Sequence, residues 1–393
     1  MSEIRIDNRG FVLNIILSPL FIFPAIWLLG IAIYIFAKDF SFIFNQNYQI
    51  LFLIFSLSNI IFIGAYLSFR LNINKLLIRD INSFEMNLNQ NKVRRVKGVL
   101  VFFALIIVIY NLYSSGLFPI LRIYNSDVEN YFEYGRFKGL LIPLLNVIGL
   151  LNIFEKNKFS KTLFFILVIS IFIFYILRGP LILFLFQYFI ISVVFRRNNI
   201  HPALKSSLLL LILYGVIVIL GDIRIVKAGF MYAFSIKPQY QDLNLGLLWI
   251  MTYFATPISD MITTVQYQTN YLFGISTIND VLPAFIQFEP TDANATLNFI
   301  DGPKTYLAPS YEDFGWIGII CTNYVIALIC FILKYDSRFY KNFLIVALLY
   351  SSLTFIFFTN YFFYFSTIVQ FILSLIIFNI IQENQLKLDY ETN

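Results

Sequence analysis

Tyr311-Glu312-Asp313-Phe314-Gly315-Trp316-Ile317-Gly318 closes the one long polar segment of this chain, and Gly221-Asp222-Ile223-Arg224 opens it. On both sides of that segment the sequence turns into long apolar runs. This contrast decides the fold. The chain is 59% hydrophobic and 13% charged, with a mean hydropathy of +0.77. A soluble domain carries about 25% charged residues. The apolar runs recur at roughly the 17–25 residues that cross a bilayer as a helix. They are continuous rather than alternating, which argues against a β-barrel. The expectation is an all-α integral membrane protein, one polytopic domain over residues 1–393.

Working outward from the polar segment, helices are predicted at about 206–221 before it and 314–333 after it. Upstream lie runs at about 11–37, 49–69, 99–114, 139–154, 162–177 and 181–195, and downstream at about 343–358 and 363–381. The first run has no small-residue cleavage site, so it reads as a spanning helix and not a signal peptide. That makes ten transmembrane helices with one large extracytoplasmic insertion, 222–313, between the seventh and eighth. Leu243 to Val265 is apolar enough at its start to be a further helix. Pro257 and Asp260 interrupt its second half, and it reads as an interfacial or re-entrant segment of the insertion.

Charge sets the orientation. Arg70 to Gly98 holds seven basic residues, a cytoplasmic mark under the positive-inside rule, and fits topology and anionic-lipid contact. With both termini cytoplasmic, 19 basic residues fall inside and 9 outside.

The residue inventory narrows the chemistry. The two cysteines, Cys321 and Cys330, share one predicted helix and give no disulfide framework. The one histidine, His201, falls in a predicted cytoplasmic loop. Histidine-based metal sites are excluded, and no cofactor is expected; a carboxylate-held Mg²⁺ stays open.

Arginines and carboxylates remain. Arg178 lies in the Arg-Gly-Pro junction of two helices at the lower limit of spanning length, so it sits recessed below the outer surface or snorkels to lipid phosphates. Arg224, with Lys227 near it, suits bidentate phosphate binding, or else pairs with Asp222. Glu312 and Asp313 stand where a helix begins. They cap it, or one of them acts as a base made stronger by its neighbour's charge. Arg122, Arg136 and Lys138 offer a second anionic contact or are solvated loop charges. Tyr124, Tyr131, Phe132 and Tyr134 beside them read as an interfacial aromatic belt.

The layout resembles the bacterial oligosaccharide repeat-unit polymerases of the Wzy type. The likeness rests on some ten helices, Arg178-Gly179 between two short helices, Gly221-x-x-Arg224 after the next, a large outer loop, and Tyr311-x-Asp313-Phe314-Gly315-x-x-Gly318 at re-entry. It covers nearly the whole chain in layout, through short motifs. It implies a glycosyltransferase of the bacterial cytoplasmic membrane. Such an enzyme joins undecaprenyl-pyrophosphate-linked oligosaccharides into O-antigen or capsular polysaccharide, with chain-length regulators as partners. The resemblance implies that Arg178 and Arg224 hold the anionic substrate. The available bases are Asp222, Glu312 and Asp313. Two rival classes stand beside it. A polysaccharide flippase or exporter would carry short loops throughout, and a membrane O-acetyltransferase would use an outer-face histidine that this chain lacks.

Overall fold

The structure is a computed structural model and describes residues 18–44, 47–73, 88–115, 118–122, 137–194, 211–219, 227–283, 286–288, 305–335, 339, 341–358 and 361–382. Among these residues the fold is helical, with two isolated β-bridges and no strand. The principal helices are α1 Pro19–Ala37, α2 Tyr48–Ile73, α3 Gln90–Ser115, α4 Lys138–Leu151, α5 Lys158–Phe174 and α6 Arg178–Val194. They continue with α7 Leu245–Tyr267, the short α8 Ile275–Val281, α9 Ala308–Tyr335, α10 Phe343–Thr354 and α11 Phe365–Ile381. Residues 211–219 are also helical. Five helices are long and apolar enough to cross a membrane: α1, α2, α3, α7 and α9. The chain is therefore read as a multi-pass membrane protein.

Two apolar cores divide the bundle. In the first, α9 packs along α2 and α7 along α1, around Phe23, Trp27, Phe62 and Tyr306. In the second, α4 is the axis, and every residue from Leu141 to Leu151 is buried. It packs against α3 and α11, while α10 packs against α6. Here buried amides tie four helices together. Asn146 Nδ2 donates to Gln370 Oε1 at 2.9 Å, Gln370 Nε2 to Gln187 Oε1 at 2.7 Å, and Gln187 Nε2 to Ser351 Oγ at 3.0 Å. Between helices that lipid surrounds, such pairs replace the hydrophobic drive that water would supply.

Several helices depart from their sequence expectation. α3 begins nine residues early, so Lys92, Arg94, Arg95 and Lys97 lie on its first turns rather than in a loop. Arg94 and Lys97 there reach Glu155 just past α4, at 3.1 and 2.9 Å. Part of the charge assigned to lipid contact is thus spent on a carboxylate within the protein. α7 is the larger correction. It runs unbroken from Leu245 to Tyr267 with Pro257 inside, long and apolar enough to cross a membrane. At 1.5 Å per residue its 23 residues extend about 34 Å. Proline removes one donor, which a bundle tolerates where neighbouring polar groups meet the freed backbone. Asp260, which looked like a breaker, is buried at 7% exposure. The described part of segment 222–313 is accordingly not an irregular loop. It contains α7, and its last residues are packed inside the bundle.

Candidate active site

The Tyr-Glu-Asp-Phe-Gly-Trp motif makes a hairpin. Helix α9 breaks at Gly315, whose φ of 60° and ψ of −140° are open to glycine and strained for other residues. Residues 305–314 then run back along 316–335. Ser310 Oγ accepts from Thr322 Oγ1 at 2.6 Å, and Tyr306 Oη donates to Asn323 Oδ1 at 2.7 Å. As one partner's number falls the other's rises, so the two arms are antiparallel. Gly318 lets them touch, because a Cβ there would run into the carbonyl oxygen of Ser310. The two glycines of the motif thus have separate jobs, one for the break and one for the close approach.

This hairpin presents the carboxylates. Both are buried, Glu312 at 1% and Asp313 at 0% exposure. The arm begins at Ala308, so neither caps the helix it opens, as the sequence suggested. Asp313 instead receives the first turn of α8. Its Oδ1 accepts from the N–H of Ser276 at 2.9 Å and its Oδ2 from the N–H of Thr277 at 2.7 Å. Glu312 Oε2 accepts from Ser276 Oγ at 2.6 Å. The backbone joins as well, Leu272 N–H donating to the Glu312 carbonyl at 3.0 Å. These hydrogen bonds fasten the hairpin to the first turn of α8.

Arg178 opens α6 after a turn that carries Ile176 at a φ of 53°. It is buried at 7% exposure. Its guanidinium carbon lies 5.0 Å from the ring centre of Trp249 and 5.5 Å from that of Tyr253. Both rings belong to α7, four residues apart and therefore on one face. Stacking of this kind suits arginine's planar, weakly hydrated cation. α5 and α6 have 17 residues each. That is about 25 Å, less than the ~30 Å of a hydrocarbon layer.

Two bridges join the arginine to the carboxylates. The first is α7 itself, with Trp249 and Tyr253 at one end and Val265 at the other, where the Val265 carbonyl accepts from Tyr311 Oη at 3.3 Å. Thr256 and Asp260, both buried, continue the face that carries the two aromatics. The second bridge is the turn before α11. Tyr361 Oη lies 3.6 Å from the place a Cβ on Gly179 would take. Burial, then the neighbouring phenols of Tyr364 and Tyr253, push the Tyr361 phenol up, so it remains a neutral donor at physiological pH. Partial burial and the Asp280 carboxylate raise Tyr364 in the same way, and Asp280 belongs to α8.

The other residues expected at the site divide as follows. Asp222, Arg224 and Arg136 lie outside the described residues, as do Tyr124, Tyr131, Phe132, Tyr134 and His201. Lys227 opens a short helix, Lys227–Ala233, and Arg122 closes a turn, Pro119–Arg122; their side chains lie outside the described residues. Sequence reasoning missed Trp249, Tyr253, Ser276, Tyr361 and Asp280. A usable signal existed for the first two, since their spacing on an apolar run places both rings on one helical face. No local signal marks Ser276, whose partners lie 36 and 37 residues downstream.

No family model matches the chain, and neither a curated protein nor a solved structure matches it.

Proposed function

We propose that this chain is a membrane glycosyltransferase that polymerises undecaprenyl-pyrophosphate-linked oligosaccharide repeat units at the outer face of a bacterial cytoplasmic membrane. The observation that carries this reading is the buried Arg178 on its aromatic wall, linked by α7 to a buried carboxylate pair. Arginine's planar fork suits the two phosphates of a lipid pyrophosphate, and a helical bundle can admit such a lipid sideways from the bilayer. The topology proposed with this function has ten crossings and both termini in the cytoplasm. The outer segment is built around α7 and the Gly315 hairpin.

The chemistry follows from the groups present. The acceptor sugar's hydroxyl oxygen forms a bond to C1 of the donor chain's reducing-end sugar. The C1–O bond to pyrophosphate breaks, and pyrophosphate leaves with the electron pair. Arg178 stabilises that charge. The hydroxyl proton passes to a carboxylate. Glu312 is the better base of the pair, because each Asp313 oxygen already accepts a backbone N–H. Asp313 then acts as a positioning residue that fixes the hairpin against α8.

The test is direct. Purified protein in nanodiscs is given an undecaprenyl-pyrophosphate-linked repeat unit from its own host, and the products are separated on a gel. A ladder is expected from the wild type and its loss from Arg178→Ala. Folded wild type that makes no ladder, yet moves the same lipid across vesicle membranes, would overturn this reading in favour of an exporter.

A further inference from the structure

A cavity of about 240 Å³ lies between α9, α10 and α11. Its walls include Ile332 and Leu333 of α9, Leu348 and Ser352 of α10, and Phe362 and Phe371 from the turn before α11 and α11 itself. Protein interiors leave few voids larger than one water, whose share of liquid is about 30 Å³. A space several times that size, walled almost wholly by hydrocarbon, gives water too few partners to stay. It suits an apolar occupant. Ser352 is the small residue on this wall, and a larger side chain there would project into the space.

The position of the cavity selects the occupant. Phe362, at one end of it, directly follows Tyr361. Tyr361 Oη approaches Gly179, the residue after Arg178. The turn that contributes Phe362 to the cavity thus also reaches the residue next to the buried guanidinium. The far end is formed by Leu333, close to the end of α9 at Tyr335. The lining of the cavity thus runs from the turn before α11 to the last turns of α9.

We infer that this cavity receives the first isoprene units of the polyprenyl chain of the lipid whose pyrophosphate lies at Arg178. The inference rests on the proposed function for the identity of the lipid, and on the cavity and its adjacency for the place. Holding the chain fixes the pyrophosphate against the arginine, so part of the binding energy is spent on orientation at the reacting carbon.

The experiment uses the full chain in nanodiscs and a polyprenyl diphosphate with a diazirine near its first isoprene units. After irradiation, adducts are mapped by mass spectrometry, with unlabelled polyprenyl diphosphate or phosphatidylglycerol as competitor. The expected adducts fall on α9, α10 and the 361–371 stretch. Polyprenyl diphosphate should compete about tenfold better than phosphatidylglycerol. Ser352→Phe should lower labelling by about tenfold. Leu348→Trp, which fills the space from a different position, should do the same and guards against a folding defect in either variant. Adducts confined to other helices, or equal competition by phosphatidylglycerol, would overturn the inference. Its failure is distinct from that of the polymerase reading. A missing ladder with these adducts present removes the enzyme and keeps the site. A ladder with adducts elsewhere keeps the enzyme and removes the site.

Discussion

Glu155 and the Glu312–Asp313 pair are all buried carboxylates, but the chain holds them by different means. Glu155 sits between two cations, Arg94 at 3.1 Å and Lys97 at 2.9 Å, with Lys97 also donating to Asn152 Oδ1 at 3.3 Å. Its charge is cancelled where it stands, and the result ties α3 to the turn after α4. Asp313 is held by the N–H dipoles of α8, and Glu312 by a serine hydroxyl. Dipoles and hydroxyls stabilise a carboxylate without adding an opposite unit charge. The comparison teaches that a buried acid is not by itself a sign of chemistry. The ion pair marks Glu155 as a clamp, and the pair on the Gly315 hairpin is the candidate for chemistry because α7 links it to a buried arginine walled by aromatics.

The largest expected effect breaks the clamp. Glu155→Ala leaves Lys97 buried without its carboxylate and should cost about 3–5 kcal/mol, read as a lower unfolding midpoint in detergent. Replacing both partners together, Lys97→Met with Glu155→Leu, should recover most of that loss, since two apolar groups carry no desolvation penalty. A double variant as unstable as the single one would show that α3 is held there by packing alone.

An intermediate effect concerns the cap. Asp313→Ala removes the acceptor of two N–H groups and should destabilise by about 1.5–3 kcal/mol, less than the clamp. Protease cleavage between 268 and 283 should become faster, because α8 loses its anchor. Asp313→Asn, which keeps one acceptor oxygen, should fall between the two.

Acid sharpens the same contrast. Burial alone would raise Glu155, but hydrogen bonds from Lys97 and Arg94 override it and hold the carboxyl at about 2, below its ordinary 4.5. A folded value below the unfolded one means the contribution is complete above about pH 4.5 and is lost as pH falls through 2. The difference in melting temperature between wild type and Glu155→Gln should therefore be constant near neutrality and shrink between pH 4.5 and 2. A gap that widened on acidification would contradict the ion-pair account. The smallest effect is Ser276→Ala, which removes one hydroxyl from Glu312 and should cost about 0.5–1.5 kcal/mol by the same thermal assay.

The two regions also differ in how far sequence alone could reach them. The apolar runs were legible because unbroken Phe, Ile and Leu stretches have no other stable form in a bilayer, and α2, α4, α6 and α11 fall close to their expected bounds. Arg178 was legible because it lies between two short runs. The unity of α7 was not, since Pro257 and Asp260 read locally as breakers and are accommodated only by burial against neighbours. The role of Asp313 was hidden for a related reason. It stands near a helix start, where capping of its own helix is the local inference, while its true partners lie across a loop on α8. Glu155 drew no attention because its cations are 58 and 61 residues earlier in the chain.

The central claim is that Glu312 serves chemistry and Glu155 serves structure. It is tested by polymerisation rate per folded molecule in Glu312→Gln and Glu155→Gln, with melting temperature recorded for each. The account predicts that Glu312→Gln loses about 10²–10⁴ in rate with a small change in melting temperature, and that Glu155→Gln melts earlier at near wild-type rate. A Glu312→Gln protein that polymerises normally, or a stable Glu155→Gln protein that does not, would contradict it.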